Sequence, residues 1–245
     1  MNLYYKKYNE FPVTIPEVSI ILRLDDVKHL QMNHKNYPVP FCLEIDGIQR
    51  ICHNKDGWFD FDKTIVDIGA DLGEYCWLTP FKKAVAFEPN KESVFALCAN
   101  ALLHDCVDKI DIHTCFLSSE NDLDIRFNGF NTVENQNTKV IKSRTLDSFD
   151  LENVGLVKID VEMHEYEVLI GSVKTLEQNN YPPIVFECFD VGVFGMTKEM
   201  HDNIFGFLTS NYTSVSILFS FRFFQYFYLE SSYFSPHTTL ALNFP

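Results

Sequence analysis

Residues 64–90, TIVDIGADLGEYCWLTPFKKAVAFEPN, constrain the fold of this chain more than any other stretch. An apolar run ending at Asp67 enters the turn Gly69-Ala70-Asp71-Leu72-Gly73, and a second apolar run ends at Glu88-Pro89-Asn90. The pattern predicts strand, tight glycine turn, short helix, strand, acid. Such a unit binds a nucleoside: glycines let backbone approach the ligand, free N–H groups at the helix start face it, and an acid about twenty residues on accepts the ribose hydroxyls. Glu88 stands at that distance. Asp67, Gly69, Ala70, Asp71, Gly73, Pro89 and Asn90 are its expected companions around the ligand.

The side chains of the turn narrow the choice of nucleoside. A dinucleotide fingerprint places glycine where this chain has Asp71 and Glu74, to make room for the pyrophosphate and for helix packing. Two carboxylates there would repel a doubly charged phosphate bridge. S-adenosylmethionine has no phosphate and carries a sulfonium and an ammonium, so an acidic loop favours it over a dinucleotide.

The whole chain sets wider bounds. Its 245 residues suffice for one large domain with a core that needs no staples. Lys and Arg number 20 against 34 Asp and Glu, a formal charge of -14, which repels nucleic acid and anionic lipid alike. The seven cysteines (42, 52, 76, 98, 106, 115 and 188) form no C-x-x-C pair and sit among apolar neighbours. They are expected to be buried free thiols of a reducing compartment. Residues 1–10 contain no apolar core of a secretory signal, and residues 214–229 alternate apolar with polar as a strand pair does, so a cytoplasmic chain without a membrane span is expected.

Residues 1–62 are expected to form a small β appendage that covers one end of the site or pairs with another subunit, with a hairpin at Asp46-Gly47. Residues 63–245 carry the main domain. Asn90 is expected to cap a helix with Val94, Leu97, Cys98 and Ala101 on its buried face, and Phe95 and Leu102 beside them. A strand over 110–117 should bring Ser118 near the adenine. A hairpin excursion follows over 120–144. The strand 154–159 ends in Asp160 and leads through Glu162 and His164 into a helix with Tyr166, Leu169, Ile170, Val173 and Leu176 as its buried stripe. The strand 184–186 ends in Glu187. Two strands then deliver acids at one edge, and if they are neighbours Asp160 and Glu187 converge. Asp147 reads as a capping acid.

Laid out in this order, VDIGADLG, VAFEPN, TLDSF, LVKIDVEMHEYEVLIG and PIVFE resemble the FkbM-type family of class I S-adenosylmethionine-dependent methyltransferases over residues 64–190. The resemblance implies an α/β, doubly wound, mostly parallel seven-stranded Rossmann-like sheet and O-methylation of a hydroxyl on a glycan or small metabolite. By the same resemblance, Asp67, Gly69 and Gly73 match the cofactor loop, Glu88 the ribose acid, and Asp160 and Glu162 the acids after the fourth strand. Asp71 departs from the family's usual Asn, and Met163-His164 from its usual Gly-Ala or Gly-His. The candidate bases are Asp160, His164, Glu187 and Glu162, and in-line methyl transfer requires no metal. Two other readings compete: a nucleic-acid 2'-O-methyltransferase built on Lys158, Asp160, Lys174 and Glu187, and a cofactor-binding protein without turnover that serves in assembly.

Overall fold

The computed structural model describes residues 3–8, 18–23, 48, 51–53, 57–127, 140–193, 195–212, 214–221 and 224–230. Two N-terminal strands, β1 (Leu3–Tyr8) and β2 (Val18–Arg23), pair antiparallel. The main domain then runs β3 (Thr64–Ile68), α1 (Glu74–Leu78), β4 (Lys83–Phe87), α2 (Lys91–Leu103), β5 (Ile110–His113), β6 (Phe116–Leu117), β7 (Asp124–Arg126) and β8 (Val140–Arg144). It continues through β9 (Val154–Ile159), α3 (Glu165–Ile170), α4 (Val173–Gln178), β10 (Ile184–Phe189), α5 (Lys198–Asn211), β11 (Ser214–Phe221) and β12 (Phe224–Glu230).

The large sheet has the order β11-β12-β10-β9-β3-β4-β5. Its five strands from β10 to β5 are parallel, and β12 and β11 extend it antiparallel. Every residue of β3 and β9 is buried, as near-continuous apolar runs in a sheet covered on both faces must be. Alternate residues serve opposite faces. Ile65 packs with Leu72, Trp77 and Leu97 of the α1–α2 layer, while its neighbour Val66 packs with Leu169, Ile204 and Leu208 of the α3–α5 layer. The fold is therefore doubly wound. The chain moves outward from β3 to β5 and returns to the other side of β3 at β9, so the switch in direction, where such sheets bind ligands, lies at the carboxyl ends of β3 and β9.

Several local expectations are corrected. The strand over 110–117 breaks after His113, and β6 leaves the large sheet to pair with β8, which also forms the expected hairpin with β7. On α2 the buried face is Ser93, Ala96, Leu97, Asn100 and Ala101, while Phe95 and Leu102 point outward. Asn100 sets that rotation by donating to the Leu72 carbonyl at 3.2 Å. The single helix expected after His164 is two helices. Asp147 accepts the N–H groups of Lys174 and Thr175 and so caps α4, and a Cβ on Gly171 would lie 2.1 Å from the Ser118 carbonyl oxygen. Ile170 and Val173 are exposed as a result. β10 runs on through Glu187 to Phe189 instead of ending there.

Residues 48 and 51–53 are helical, so the second arm expected of the Asp46-Gly47 hairpin is absent there, and its first arm lies outside the described residues. Residues 128–139 of the expected hairpin excursion and Cys42 lie outside them too. The six described cysteines are free; Cys76 and Cys188 are buried, but Cys52 and Cys98 are exposed, against expectation. No helix among the described residues is long and apolar enough to cross a membrane.

Candidate active site

A cavity of about 170 Å³ opens at the switch point. The glycine turn forms its floor, Glu88 and Pro89 one side, Phe116, Leu117 and Phe127 an apolar wall, and Asp160 to Glu162 the far side. The turn takes its shape from left-handed backbone at Gly69, Asp71 and Gly73 (φ 73°, 43° and 84°). The glycines answer to the protein before any ligand. A Cβ on Gly69 would lie 1.7 Å from the Asp160 carbonyl oxygen, and one on Gly73 would lie 2.7 Å from Leu97. Gly69 thus lets the first and fourth parallel strands of the unit meet at their ends. The helix that follows has only five residues, Glu74–Leu78.

Glu88 follows β4 and is buried. Its Oε2 accepts the Asp71 N–H at 3.0 Å and its Oε1 the Asn90 N–H at 2.7 Å, so it ties the turn to the start of α2. Burial, and then the Asp71 carboxylate, push its pKa up to about 7. Asp71 and Ala70 line the cavity, and Ser93 donates to Asp71 Oδ1 at 2.8 Å. Asn90 caps α2 through the Glu92 N–H and does not line the cavity.

Asp67 departs from expectation. It is fully buried beneath the turn, with the Cys76 thiol donating to it at 3.3 Å and Lys158 Nζ 3.3 Å from its other oxygen. It does not line the cavity. Lys158 itself is a residue whose part the sequence left open. Its ammonium donates to the Gly69 carbonyl at 2.6 Å, lies 3.8 Å from Asp160 and faces the Tyr75 ring at 5.4 Å. One buried cation therefore joins the turn to the acid after β9.

Asp160, Glu162 and Glu187 do come together, with carboxylate oxygens all within 4.8 Å of one another. The register explains it: Phe186 pairs with Ile159, so Glu187 stands beside Asp160 on neighbouring parallel strands. Glu162 enters the group through consecutive left-handed residues, φ 55° at Glu162 and 72° at Met163, a strained turn for side chains with a Cβ. The family's usual glycine at the second of these positions suits that conformation. Glu187 is pushed well up by burial and then by Asp160 and Glu162; Glu162 rises to about 7 through burial, then Asp160 and Asp71. Glu162 keeps much of its surface open at the cavity mouth, so solvent screens part of that repulsion.

His164 and Ser118 stand apart from this group. Neither lines the cavity; Ser118 Oγ and His164 Nε2 hydrogen-bond to each other at 3.0 Å, and Glu167 lies 3.6 Å from His164 Nδ1. Burial holds the His164 pKa below its ordinary value. After the break that follows β5, Cys115, Phe116 and Leu117 line the cavity and Ser118 does not. Lys174 bonds to Asp150 on the surface, so Lys158, Asp160, Lys174 and Glu187 do not converge.

A doubly wound parallel sheet with an antiparallel end, a glycine turn and an acid after the second strand defines a class I, Rossmann-like methyltransferase fold. The profile of the Methyltransferase FkbM domain matches residues 67–214, and the chain belongs to that family, whose members use S-adenosylmethionine. The hexuronic acid methyltransferase AglP of Haloferax volcanii is 29% identical over 132 residues, which are 49% of this chain and 54% of AglP. The crystal structure of the methyltransferase FkbM from Methylobacillus flagellatus KT shares the fold with a TM-score of 0.55 and 16% identity, over 74% of this chain and 47% of that one. The chain thus spans about half the length of these relatives.

The residues of the cavity fit that cofactor. Asp71, Glu74, Glu88, Asp160 and Glu162 line it, and Lys158 is the one basic side chain among the lining residues. A cationic ligand suits such a lining; a pyrophosphate does not.

Proposed function

We propose that this protein transfers a methyl group from S-adenosylmethionine to a hydroxyl oxygen of a glycan or small metabolite. The observation that carries the reading is that Asp160, a candidate base, lines the same cavity as the glycine turn and Glu88. The likeness to a hexuronic acid methyltransferase makes a hexuronic acid the first acceptor to test.

The cofactor supplies an electrophilic methyl group on a sulfonium. The chain supplies position and a proton acceptor. Glu88 offers its remaining lone pairs to the ribose hydroxyls, and the backbone of Gly69 to Asp71 lines the floor. The apolar wall of Phe116, Leu117 and Phe127 excludes water from one side. Asp160 takes the proton of the acceptor hydroxyl; proton transfer late in the reaction needs no strong base. Glu187 stands behind it and is the reserve for that role. His164 is bonded to Ser118 outside the cavity lining and is given no part in the proton transfer.

Asp160→Asn is expected to keep the fold and lower the rate at saturating donor by roughly 10²–10⁴-fold, the range of general-base catalysis. A raised donor dissociation constant with an unchanged rate would make Asp160 a donor contact instead. Donor binding without turnover over a panel of uronic acid, sugar and small-alcohol acceptors would favour the assembly reading. The first 62 residues are proposed to be a small appendage packed on the 63–245 domain, with Ile48, Ile51 and Phe59 buried in the same core cluster as Ile65 and Leu72.

A further inference from the structure

The acids of this cavity outnumber what a single proton acceptor requires. Glu162 is faced by Asp160 and Lys158 from β9, by Asp71 from the glycine turn and by Glu187 from β10. Glu74 and Glu88 line the same cavity. Behind them, the α3 residue Glu165 is 2% exposed. Its Oε1 accepts the N–H groups of Val161 and Met163 on either side of Glu162, both at 3.2 Å. Its Oε2 is buried without a hydrogen-bond partner, and the carboxyl interacts with both Asp160 and Glu187. The nearest compensating charge, Lys158, is already committed to Gly69 and Asp67. The cluster is thus short of positive charge, and Glu162 is carried into it by left-handed backbone at Glu162 and Met163.

We propose that Glu162, with Asp160 and Glu187 beside it, makes the cavity select a ligand with a sulfonium over the same ligand with an uncharged thioether, by giving up a shared proton when the cation enters. The inference rests on the methyl-donor reading above. S-adenosylmethionine and S-adenosylhomocysteine carry the same ammonium, carboxylate and nucleoside, and differ in the methyl group and the charge on sulfur. Once the titration of each free ligand's own ammonium is subtracted, a difference in their proton linkage therefore reports that charge. Because burial and then the Asp160 and Asp71 carboxylates push Glu162 up to about 7, the cation displaces a proton at pH 6 and finds little to displace at pH 8. The selectivity lets the product leave as soon as the sulfur is neutral.

The test is calorimetry of the two ligands on the full chain, with a chelator present so that no divalent ion occupies the carboxylates. Titrations run at pH 6, 7 and 8 in buffers of different ionisation enthalpy. S-adenosylmethionine should bind about tenfold more tightly at pH 8 than at pH 6, the linkage of one proton with a pKa near 7, and should release that proton at the lower pH. S-adenosylhomocysteine should change by less than about twofold over that range, and Glu162→Gln should narrow the difference between the ligands. Equal pH dependence for the two ligands overturns the charge selectivity and leaves the methyl-donor reading standing. Failure of both to bind overturns both readings.

Discussion

Glu88 is committed to the backbone before it meets a ligand. Both oxygens accept an N–H, from Asp71 and from Asn90, and the side chain is 7% exposed, so its remaining lone pairs have one direction left, into the cavity. Glu88→Ala removes an acceptor from the ligand and also leaves two N–H groups of the turn without their partner. Donor binding is therefore expected to weaken by about 1.5–3 kcal/mol, the worth of a hydrogen bond to a charged group. An unchanged dissociation constant in a folded variant would show that Glu88 serves the turn alone. The position of Glu88 was legible because an acid at the end of the second strand has a fixed spacing from the glycine turn. Lys158 was not, because a lone lysine in an apolar run has no spacing signal. Its partners at residues 67, 69 and 160 meet only once β3 and β9 are parallel neighbours.

At the scale of elements, what was legible followed the apolar periodicity. The fully buried strands β3 and β9 announce themselves as short apolar runs, and the cap at Asn90 by a side chain that accepts from the Glu92 N–H group. The rotation of α2, the break between β5 and β6 and the split of α3 from α4 were not legible. Each depends on a contact distant in sequence: Asn100 with Leu72, Ser118 with Arg144, and Gly171 with Ser118. The glycines of the turn show the same limit. Sequence says that Gly69 permits a close approach, but not that the approaching atom is the Asp160 carbonyl oxygen. Gly69→Ala should consequently damage the fold as well as binding. It adds a Cβ against backbone that cannot step aside, at a φ of 73°, and should cost ~3 kcal/mol. Chemical denaturation of the unliganded variant measures this. A variant of normal stability that has lost only donor binding would show that the glycine serves the ligand after all.

For the whole molecule, the acids that make the cavity are a burden on the unliganded fold. Glu88 is pushed up to about 7 and Glu165 to about 8, each first by burial. These acids hold protons more tightly folded than unfolded. Between the ordinary carboxylate pKa and these raised values the native state binds more protons, and stability must fall as pH rises. The loss is absent below about pH 4.5 and complete only above about pH 9, one unit beyond the higher of the two raised values. A second source of repulsion acts in the same direction, the net charge of -14, but most of those charges are on the surface and are screened by salt. Buried carboxyls are not. The melting temperature of the unliganded protein is therefore expected to fall between about pH 6 and about pH 8.5, by roughly 6–12 °C for a loss on the order of 3 kcal/mol. Most of the fall should persist in about 0.5 M salt. Glu165→Gln replaces the deepest of these acids by a neutral side chain of the same shape, and should flatten the upper part of the profile. A melting temperature that is level or rises over this range, or a fall that salt abolishes, would place the excess charge on the surface and not in the cavity.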